Sequence, residues 1–405
     1  MLTKATRLRQ AAWFSLMAAA ASLAFSITLY EASSILFIVL SLAVMVLERD
    51  FSVFRKTLTI FIGLFCAVTL ISVSQSGYLW DSWKGVFRVV RCALLCLSVI
   101  VILDDEKKWR ATFWVVVSVA VIVVLDGLFQ GLFGFEPLRQ REMTAYTAEI
   151  QRVTATFRHA NNFAAYLCLA IFYMIGGTLA KYRSRASLTL LASLGLAVLL
   201  AGSCLIWTLS RGAWMGVFAA TLLLGICKKQ KFLLALLIAG VVWAMYFSPT
   251  LIRNRVQDLS NMKAGTVHER TILAQESMAM INASPWLGLG INTFSKNAPR
   301  FKLKDHLTDV QYAHNGYLQM AVETGWIGLV SFLLLIGYFF WSLRTFIFNS
   351  NHGFLDTTAS CIVFGILAFL IHSATDTNLH SLLLVSNLWF SMGLAWAAWE
   401  IRSRR

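Results

Sequence analysis

Long apolar segments recur along almost the whole sequence, and they constrain the fold more than any other feature. A transmembrane helix needs roughly 20 predominantly apolar residues, and we identify twelve segments of about this length. They are 11–29, 33–47, 57–74, 86–103, 112–134, 161–180, 186–207, 212–227, 231–248, 325–342, 354–375 and 378–399. We therefore predict an all-α polytopic membrane protein with about 12 transmembrane helices.

The composition excludes the main alternatives to a membrane protein. Of the 405 residues, 58% are hydrophobic and only 14% are charged. One soluble core cannot bury so much apolar surface, and a disordered chain would be far more polar. The net charge of +15 is typical of many nucleic-acid-binding proteins, but the membrane setting excludes nucleic acid and leaves membrane lipids as the surroundings.

Basic residues fall on alternate loops, and this pattern predicts the orientation of the chain. Short loops rich in lysine and arginine stay in the cytoplasm. Nineteen of the 35 basic residues lie at the two termini or in short loops of one face. They are Lys4, Arg7, Arg9, Arg49, Arg55, Lys56, Lys107, Lys108, Arg110, Lys181, Arg183, Arg185, Lys228, Lys229, Lys231, Arg344, Arg402, Arg404 and Arg405. We predict that both termini are cytoplasmic.

The loops of the opposite face differ in length. Three are short, near residues 30–32, 75–85 and 208–211, and two are long, 135–160 and 249–324. The longest loop is long enough for a helical subdomain. We therefore divide the chain into nine transmembrane helices over 1–248, an outer loop subdomain over 249–324, and three helices with a cytoplasmic tail over 325–405.

The longest loop contains recognisable helix signals. Thr266 begins a capping box that predicts a helix over 267–282. Pro285 follows the end of this helix, and Gly288 and Gly290 indicate a turn. The half-apolar segment from Tyr317 to Thr324 predicts an interfacial helix that leads into the next span.

Arg88 and Arg91 lie three residues apart near the predicted outer end of the fourth span. An arginine within a span is costly unless it is paired, snorkels to the interface or faces a wet cavity. The two side chains therefore either pair with Asp126, or snorkel, or bind an anionic substrate.

Three more arginines lie on the predicted outer face. Arg211 lies in a very short loop, where it contacts either lipid phosphate or substrate. Arg270 lies in the first turn of the predicted loop helix, a position suited to holding an anion, although it can instead pair with Glu269 or Asp258. Arg158 lies at the end of the 135–160 loop, just before the next span. Its segment carries charges of both signs, so the alternative to substrate binding is a solvated surface.

His314 is the best candidate for acid–base chemistry, because histidine has an unperturbed pKa near neutrality. It precedes the turn residues Asn315 and Gly316 at the start of the interfacial segment, so it is either a helix cap or a general base. His268 and His306 compete with it in the same loop. We find no metal-ligand spacing and no phosphate-cradling glycine loop, and we predict that no metal or other cofactor is needed.

Arginines converging on one membrane face beside a histidine suggest group transfer from a lipid-linked diphosphate. Arginine is the preferred bidentate ligand of phosphate, and bound arginines stabilise a diphosphate leaving group. The histidine would remove the proton from an attacking hydroxyl.

Several short motifs in this region resemble the O-antigen ligase/polymerase superfamily, most strongly over about 200–330. The motifs are Ser210-Arg211-Gly212-Ala213-Trp214, Arg270 ahead of Pro285-Trp286-Leu287-Gly288-Leu289-Gly290, and His314-Asn315-Gly316-Tyr317-Leu318-Gln319 with Glu323, Gly325 and Gly328. Their order around one long outer loop makes the combination specific.

The resemblance implies a glycosyltransferase of the GT-C-like type in the bacterial inner membrane. The ligase branch moves a polysaccharide from undecaprenyl diphosphate to a sugar of lipid A-core on the periplasmic face. Arg211, Arg270 and His314 match the essential positions of that branch and are the expected catalytic residues. Asp376 matches a further acid less securely, and we group it with Arg88, Arg91 and Arg158 as expected substrate-binding residues.

Two other functions stay open at this stage. Polymerases of the superfamily tend to have two sizeable outer loops, and the 135–160 loop is compatible with that arrangement. A transporter or flippase would use Arg88, Arg91, Asp126 and Asp376 to line a path through the membrane. The absence of an obvious internal repeat in the sequence disfavours the transporter.

Overall fold

The computed structural model describes residues 4–145, 151–231, 266–303, 311–348 and 353–404, together with Leu234, Leu237, Ile238 and Gly240. The helices of the first half are α1 (Lys4–Ser22), α2 (Ile27–Glu48), α3 (Thr57–Ser72), α4 (Leu79–Ile102), α5 (Glu106–Phe133), α6 (Ala160–Arg183), α7 (Leu188–Trp207) and α8 (Arg211–Cys227). Those of the second half are α9 (Thr266–Ala283), α10 (Phe294–Asn297), α11 (Gly316–Ser342), α12 (Arg344–Phe348), α13 (Phe354–Ser373) and α14 (Leu382–Ser403). Short 3₁₀ turns cover Ser52–Arg55, Val73–Gln75 and Ala298–Arg300.

The prediction of a polytopic α-helical membrane protein is confirmed in the described residues, where nine helices are long and apolar enough to cross a membrane. They are α2, α3 with its 3₁₀ extension, α4, α5, α6, α7, α11, α13 and α14. The predicted count of twelve is not reached in this part of the chain. Helix α8 has only 17 residues, the charged first turns of α1 lower its hydropathy, and most of the predicted span 231–248 lies outside the described residues.

The predicted break between the first two spans, near 30–32, is wrong. Helix α1 ends at Ser22 and α2 begins at Ile27. The Ser26 side chain caps α2 by accepting a hydrogen bond from the Leu29 backbone N–H at 3.3 Å. The polar residue that suggested a loop, Glu31, lies within α2 and pairs with Arg91 at 3.2 Å.

The 135–160 loop adds a small amount of β-structure to the otherwise helical fold. Strands β1 (Phe135–Glu136) and β2 (Arg141–Glu142) pair antiparallel, and so do β3 (Thr144–Ala145) and β4 (Gln151–Arg152). Each strand has two residues. These short pairs bring the end of the loop back to the start of α6.

Ion pairs connect helix ends that the charge pattern places on the same face. Arg9 pairs with Glu48 and Asp104, and Arg402 pairs with Asp356. These five residues come from both ends of the sequence. Lys56, which follows α2, also pairs with Glu400 near the C-terminus, and this pair agrees with the predicted placement of both termini on one side.

Helix α13 lies near the centre of the bundle, between α6 and α8, while α14 packs along α4 and α11 packs along α3. Helices α8 and α13 approach closely at Gly216, where an added Cβ would lie only 2.4 Å from the Ala368 carbonyl oxygen. Small residues commonly allow such close approach between transmembrane helices. The packing fixes the outer ends of α8 and α13 relative to each other.

The described part of the long outer loop, residues 266–303 and 311–324, packs against the first half of α11. The predicted helix over 267–282 is confirmed as α9, and the predicted turn is confirmed by the positive φ angles of Gly288 and Gly290, 71° and 102°. A second hydrophobic cluster joins α9, α10 and the first half of α11. It contains Met280, Ile281, Phe294, Ala298, Ala313, Ala321 and Val322.

The predicted interfacial helix and the next span form one helix, α11, with a sharp kink at Gly325. The backbone there has φ 68° and ψ −175°, a combination that is essentially restricted to glycine. The kink frees backbone groups of α11, and residues of the outer loop bind them. Trp326 N–H donates to the Pro285 carbonyl at 2.8 Å, and Leu289 N–H donates to the Val322 carbonyl at 2.9 Å. We call residues 285–294 with 322–327 the Gly325 junction.

Replacing Gly325 with alanine should destabilise the protein strongly. The new Cβ would lie 2.1 Å from the Trp286 carbonyl oxygen, and the positive φ alone costs on the order of 1–3 kcal/mol. We expect Gly325→Ala to lower the midpoint of thermal unfolding in detergent. The matched control is Gly337→Ala in the same helix, where no atom lies within 4 Å of the added Cβ. Equal midpoints for the two variants would contradict the kink as described.

Candidate active site

The candidate site lies at the end of the bundle opposite the Arg9 and Arg402 ion pairs, where separate chain segments meet. These are the end of β4, the first turn of α6, the turn before α8, the first turn of α11 and the 374–381 turn between α13 and α14. All of them border the outer loop or the turns on the same face. Most of the sequence-predicted residues lie here.

His314 and Asp376 face each other across two of these segments. The distance from His314 Nδ1 to Asp376 Oδ1 is 3.8 Å, which is an ion-pair distance when the imidazole is protonated. The His314 side chain is 46% exposed and the Asp376 side chain 13%. Asn315, not His314, caps α11, because its side chain accepts from the Tyr317 and Leu318 N–H groups. His314 is thus free of the capping role and accessible to a ligand.

The Asp376 carboxylate is held by donors on both oxygens. Asn161 donates from Nδ2 to Oδ2, and Thr377 N–H donates to Oδ1 at 2.7 Å. The Asp376 carbonyl accepts from Gly316 N–H at 3.1 Å, which ties the 374–381 turn to the start of α11. This link sets the spacing between His314 and Asp376.

These contacts keep Asp376 ionised. Burial alone would raise the pKa of the carboxyl group, but the interaction with His314, the nearby His372 and the Thr377 N–H outweigh it and lower the pKa from 3.8 to about 2. The site therefore contains a permanent negative charge beside His314 at neutral pH.

Arg152 links Asp376 to the turn before α8. Its Nη2 donates to Asn161 Oδ1, and its Nε donates to the Thr208 carbonyl at 2.6 Å. One guanidinium thus connects the end of α7 with the first turn of α6. The planar guanidinium suits this role, because its donors diverge in a fixed plane.

Arg211 begins α8 and is half-buried. The preceding residue, Ser210, does not cap the helix with its side chain; its Oγ lies 3.1 Å from His372 Nε2 instead. A Cβ on Gly212 would lie 1.7 Å from Thr375 Oγ1, so only glycine permits this approach. The start of α8, which includes Arg211, therefore packs closely against the end of α13.

Arg270 lies in the first turns of α9 and is half-buried. It is near enough to His372 to interact with it electrostatically, as are Arg152 and Asp376. His372 is 1% exposed. Arg270 and Asp376 therefore approach the same buried imidazole that Ser210 contacts, and no ion pair joins Arg270 to Glu269 among the described residues.

Arg88 belongs to a neighbouring cluster around a cavity between α4, α11 and α14. It donates to the His380 carbonyl at 2.8 Å. The His380 ring contacts Gln319 at 3.0 Å and lies 3.8 Å from the Glu323 carboxylate. Burial lowers the pKa of His380, and the charge of Arg88 adds to this effect while Glu323 opposes it. His380 is therefore neutral near pH 7.

Glu323 has a structural role in the Gly325 junction. Its side chain is 2% exposed, and its two oxygens accept from the backbone N–H groups of Asn292 at 2.8 Å and Phe294 at 3.3 Å. The carboxylate thus orders the loop that follows the Gly288–Gly290 turn.

Arg91 pairs with Glu31 in place of the predicted Asp126. Helix α4 begins at Leu79, so Arg91 lies about three turns into the helix and not close to its start, as predicted. Arg158 is exposed and makes no hydrogen bond or ion pair among the described residues. The structure therefore brings Arg211, Arg270, His314 and Asp376 to one region and leaves Arg91 outside it.

Sequence reasoning missed Arg152, Asn161 and His372 as members of the site. His372 precedes Asp376 by only four residues, and this closeness in the chain was a usable signal even though α13 ends between them, at Ser373. No local pattern marks Asn161 or distinguishes Arg152 from Arg158. No group of three or more histidine, cysteine, aspartate or glutamate side chains in the described part of the chain is arranged to hold a metal ion.

Comparison with known families identifies the middle of the chain. A family model described as O-antigen ligase matches residues 196–333. The match confirms the resemblance to that family over these residues, and it includes Arg211, Arg270 and His314 but ends before Asp376. A search of curated proteins found no match.

Replacing Asp376 with asparagine should destabilise the protein in a pH-dependent way. A pKa lowered from 3.8 to about 2 corresponds to roughly 2 kcal/mol of stability from the ionised group. This contribution is complete above about pH 4 and is lost as the pH falls through about 2. We expect Asp376→Asn to have a lower free energy of unfolding than the parent at pH 7, with a much smaller difference at pH 2.5. An equal difference at both pH values, measured in detergent, would contradict this electrostatic role.

Proposed function

We propose that this protein is an O-antigen ligase. It transfers a polysaccharide from undecaprenyl diphosphate to a sugar hydroxyl of lipid A-core, with inversion at the anomeric carbon. The reaction takes place at the periplasmic face of the bacterial inner membrane and uses neither metal nor ATP. The family match over 196–333 supports a glycosyltransferase of the ligase/polymerase type.

The observation that carries this proposal is the His314–Asp376 pair beside the start of α8. A partly exposed histidine stands 3.8 Å from an ionised carboxylate. Two half-buried arginines, Arg211 and Arg270, lie on helix starts that border the same region. A base next to cationic groups is the combination that transfer from a diphosphate donor requires.

The arginines hold the donor and stabilise its leaving group. Arg211 and Arg270 each lie near a helix N-terminus, where the partial positive charge of the backbone also favours an anion. Guanidinium groups bind phosphate oxygens in a bidentate manner. Charge that develops on the departing undecaprenyl diphosphate is thereby neutralised without a metal ion.

His314 acts as the general base. In its neutral form it removes the proton from the acceptor hydroxyl as the hydroxyl oxygen attacks the anomeric carbon and the bond to the diphosphate breaks. Asp376 stabilises the imidazolium that forms and orients the ring. A single displacement of this kind inverts the anomeric configuration.

The remaining arginines that we expected to bind substrate have smaller roles in the proposal. Arg158 is exposed on the same face, and we propose that it contacts the donor. Arg88 and Arg91 each use only part of their five N–H donors on protein acceptors, so donor contact by these two residues stays a prediction.

One observation favours an O-antigen polymerase as the second candidate. Both outer loops, not the longer one alone, contribute an arginine near His372, namely Arg152 and Arg270. A transporter gains no such support, because Arg88 and Arg91 bind His380, Asn292 and Glu31.

Reconstitution distinguishes these functions. The purified protein in proteoliposomes should attach polysaccharide from undecaprenyl diphosphate to lipid A-core in the presence of EDTA and without ATP. A polymerase would lengthen the donor polysaccharide without using lipid A-core. A transporter would move the donor across the bilayer and form no new glycosidic bond, and either result would refute the ligase proposal.

Replacing Arg211 or Arg270 should weaken both donor binding and transfer. Loss of one donor to a developing negative charge typically costs about 10²–10³-fold in rate, so we expect losses of this size for Arg211→Ala and Arg270→Ala. Lysine should rescue poorly, because a point charge cannot bind phosphate in a bidentate manner. The matched control is Arg300→Ala, an exposed arginine of the same loop, which should keep the parental rate. Parental rates for the lysine variants would exclude a guanidinium clamp.

Replacing His314 should lower the chemical rate and leave donor binding unchanged. General-base catalysis contributes about 10²–10⁴-fold, and we expect a loss of this size for His314→Ala in single-turnover assays. The control is His268→Ala, an exposed histidine of the same loop. A loss of donor affinity at an unchanged single-turnover rate would assign His314 to binding and the base elsewhere.

A further inference from the structure

Asn161 stands between a cation and an anion. Its Nδ2 donates to Asp376 Oδ2, and its Oδ1 accepts from Arg152 Nη2. Both ends of the amide are thus used, and their polarity fixes which end faces which partner. A carboxylate at position 161 could not donate to Asp376, and an amine could not accept from Arg152.

Arg152 is itself fixed at a second point. Its Nε donates to the Thr208 carbonyl at 2.6 Å, two residues before Ser210. The backbone around it is anchored as well. Val153 N–H donates to the Trp207 carbonyl at 3.3 Å, and the Gln130 side-chain oxygen accepts from Thr154 N–H at 2.8 Å. The guanidinium therefore occupies a set position between α6 and the turn before α8.

The two oxygens of Asp376 have different tasks. Oδ1 accepts from Thr377 N–H and faces His314 Nδ1. Oδ2 is held by Asn161 from the opposite side. Rotation of the carboxylate would break one of these contacts. The orientation of Oδ1 toward His314 therefore depends on the bond that Asn161 makes to Oδ2.

We propose that Asn161 and Arg152 are positioning residues for the proposed reaction, which hold the Asp376 carboxylate in the orientation that presents Oδ1 to His314. The pair Arg152–Asn161 touches neither the donor nor the acceptor in this scheme. It acts through Asp376, and it also couples that carboxylate to the turn that precedes Arg211. The proposal depends on the proposed function only in taking His314 as the base.

A double-mutant cycle tests this coupling directly. Asn161→Ala should lower the single-turnover rate roughly 10–100-fold, the loss that misplacement of a catalytic group by about 1 Å produces, with an unchanged KM for the donor. In the Asp376→Ala background, the further change Asn161→Ala should alter the rate less than twofold. The matched control is Asn162→Ala, because the side chain of Asn162 makes no hydrogen bond within the described residues and should be dispensable. Equal fold-losses in both backgrounds, or a loss confined to donor KM, would overturn the proposal.

A second measurement keeps the test independent of the reaction. The midpoint of thermal unfolding should fall for Asn161→Ala in the parent and fall clearly less for Asn161→Ala in the Asp376→Ala background, where only the hydrogen bond from Arg152 remains to be lost. This cycle gives an answer even if the parent transfers no polysaccharide, so failure of the proposed function and failure of the positioning role are distinguishable. Additive shifts in the midpoint would overturn the positioning role.

Arg152→Lys supplies a conservative variant. A lysine has one nitrogen and cannot reach both Asn161 Oδ1 and the Thr208 carbonyl with the geometry of a guanidinium. We expect Arg152→Lys to lose rate at unchanged donor KM, and this loss should also disappear in the Asp376→Ala background. An increase in donor KM would instead show that Arg152 binds substrate, contrary to the proposal.

Discussion

The hydrogen bonding of the broken helix α11 is the constraint on which the outer half of the molecule depends. Backbone groups at a membrane surface must find partners within the protein or in water. At Gly325 the helix gives up its own bonds, and the Pro285–Gly290 segment replaces them one for one. The buried Glu323 carboxylate adds to this exchange by accepting from the backbone N–H groups of Asn292 and Phe294 in the loop. The loop and α11 therefore hold each other in place, and His314 lies just before the first turn of this helix.

A single ionised carboxylate organises the chemistry above that scaffold. Asp376 is nearly buried, and within the part of the chain that the structure describes its charge is offset by hydrogen bonds and not by a direct arginine partner. Arg152 reaches it only through the Asn161 amide. An intervening amide preserves the negative charge facing His314, whereas a direct ion pair would neutralise it. The arginines assigned to the donor thus remain separate from the charge assigned to the base.

Local signals in the sequence predicted local structure well. The capping pattern and the two glycines located α9 and its following turn, because these features depend on residues close in the chain. The motifs around Arg211, Arg270 and His314 likewise marked three parts of one face. Polar residues inside helices were harder to interpret. Glu31 looked like a loop residue because its partner, Arg91, lies on another helix and is not visible from local pattern.

The part of the site that the sequence did not reveal is the part made by distant contacts. Asn161 meets Asp376 across more than half of the chain, and no periodicity links the two positions. Arg152 and Arg158 have the same side chain and lie in one loop, yet only Arg152 is placed against acceptors. Which arginine is structural depends on where the β4 backbone docks on the end of α7, which is decided by tertiary packing.

The wide spacing of these residues along the chain has a consequence for biosynthesis. Arg152 and Asn161 are made early, Arg211 and Arg270 follow, and His372 and Asp376 are added only when α13 has been synthesised. A nascent chain that has inserted α1 to α11 has its arginines and His314 but no carboxylate to orient the imidazole. Under the proposed function, such a chain lacks the carboxylate that supports the base and would act on lipid-linked sugars only slowly. The proposed activity would therefore reach its full rate only after α13 and the 374–381 turn have been added.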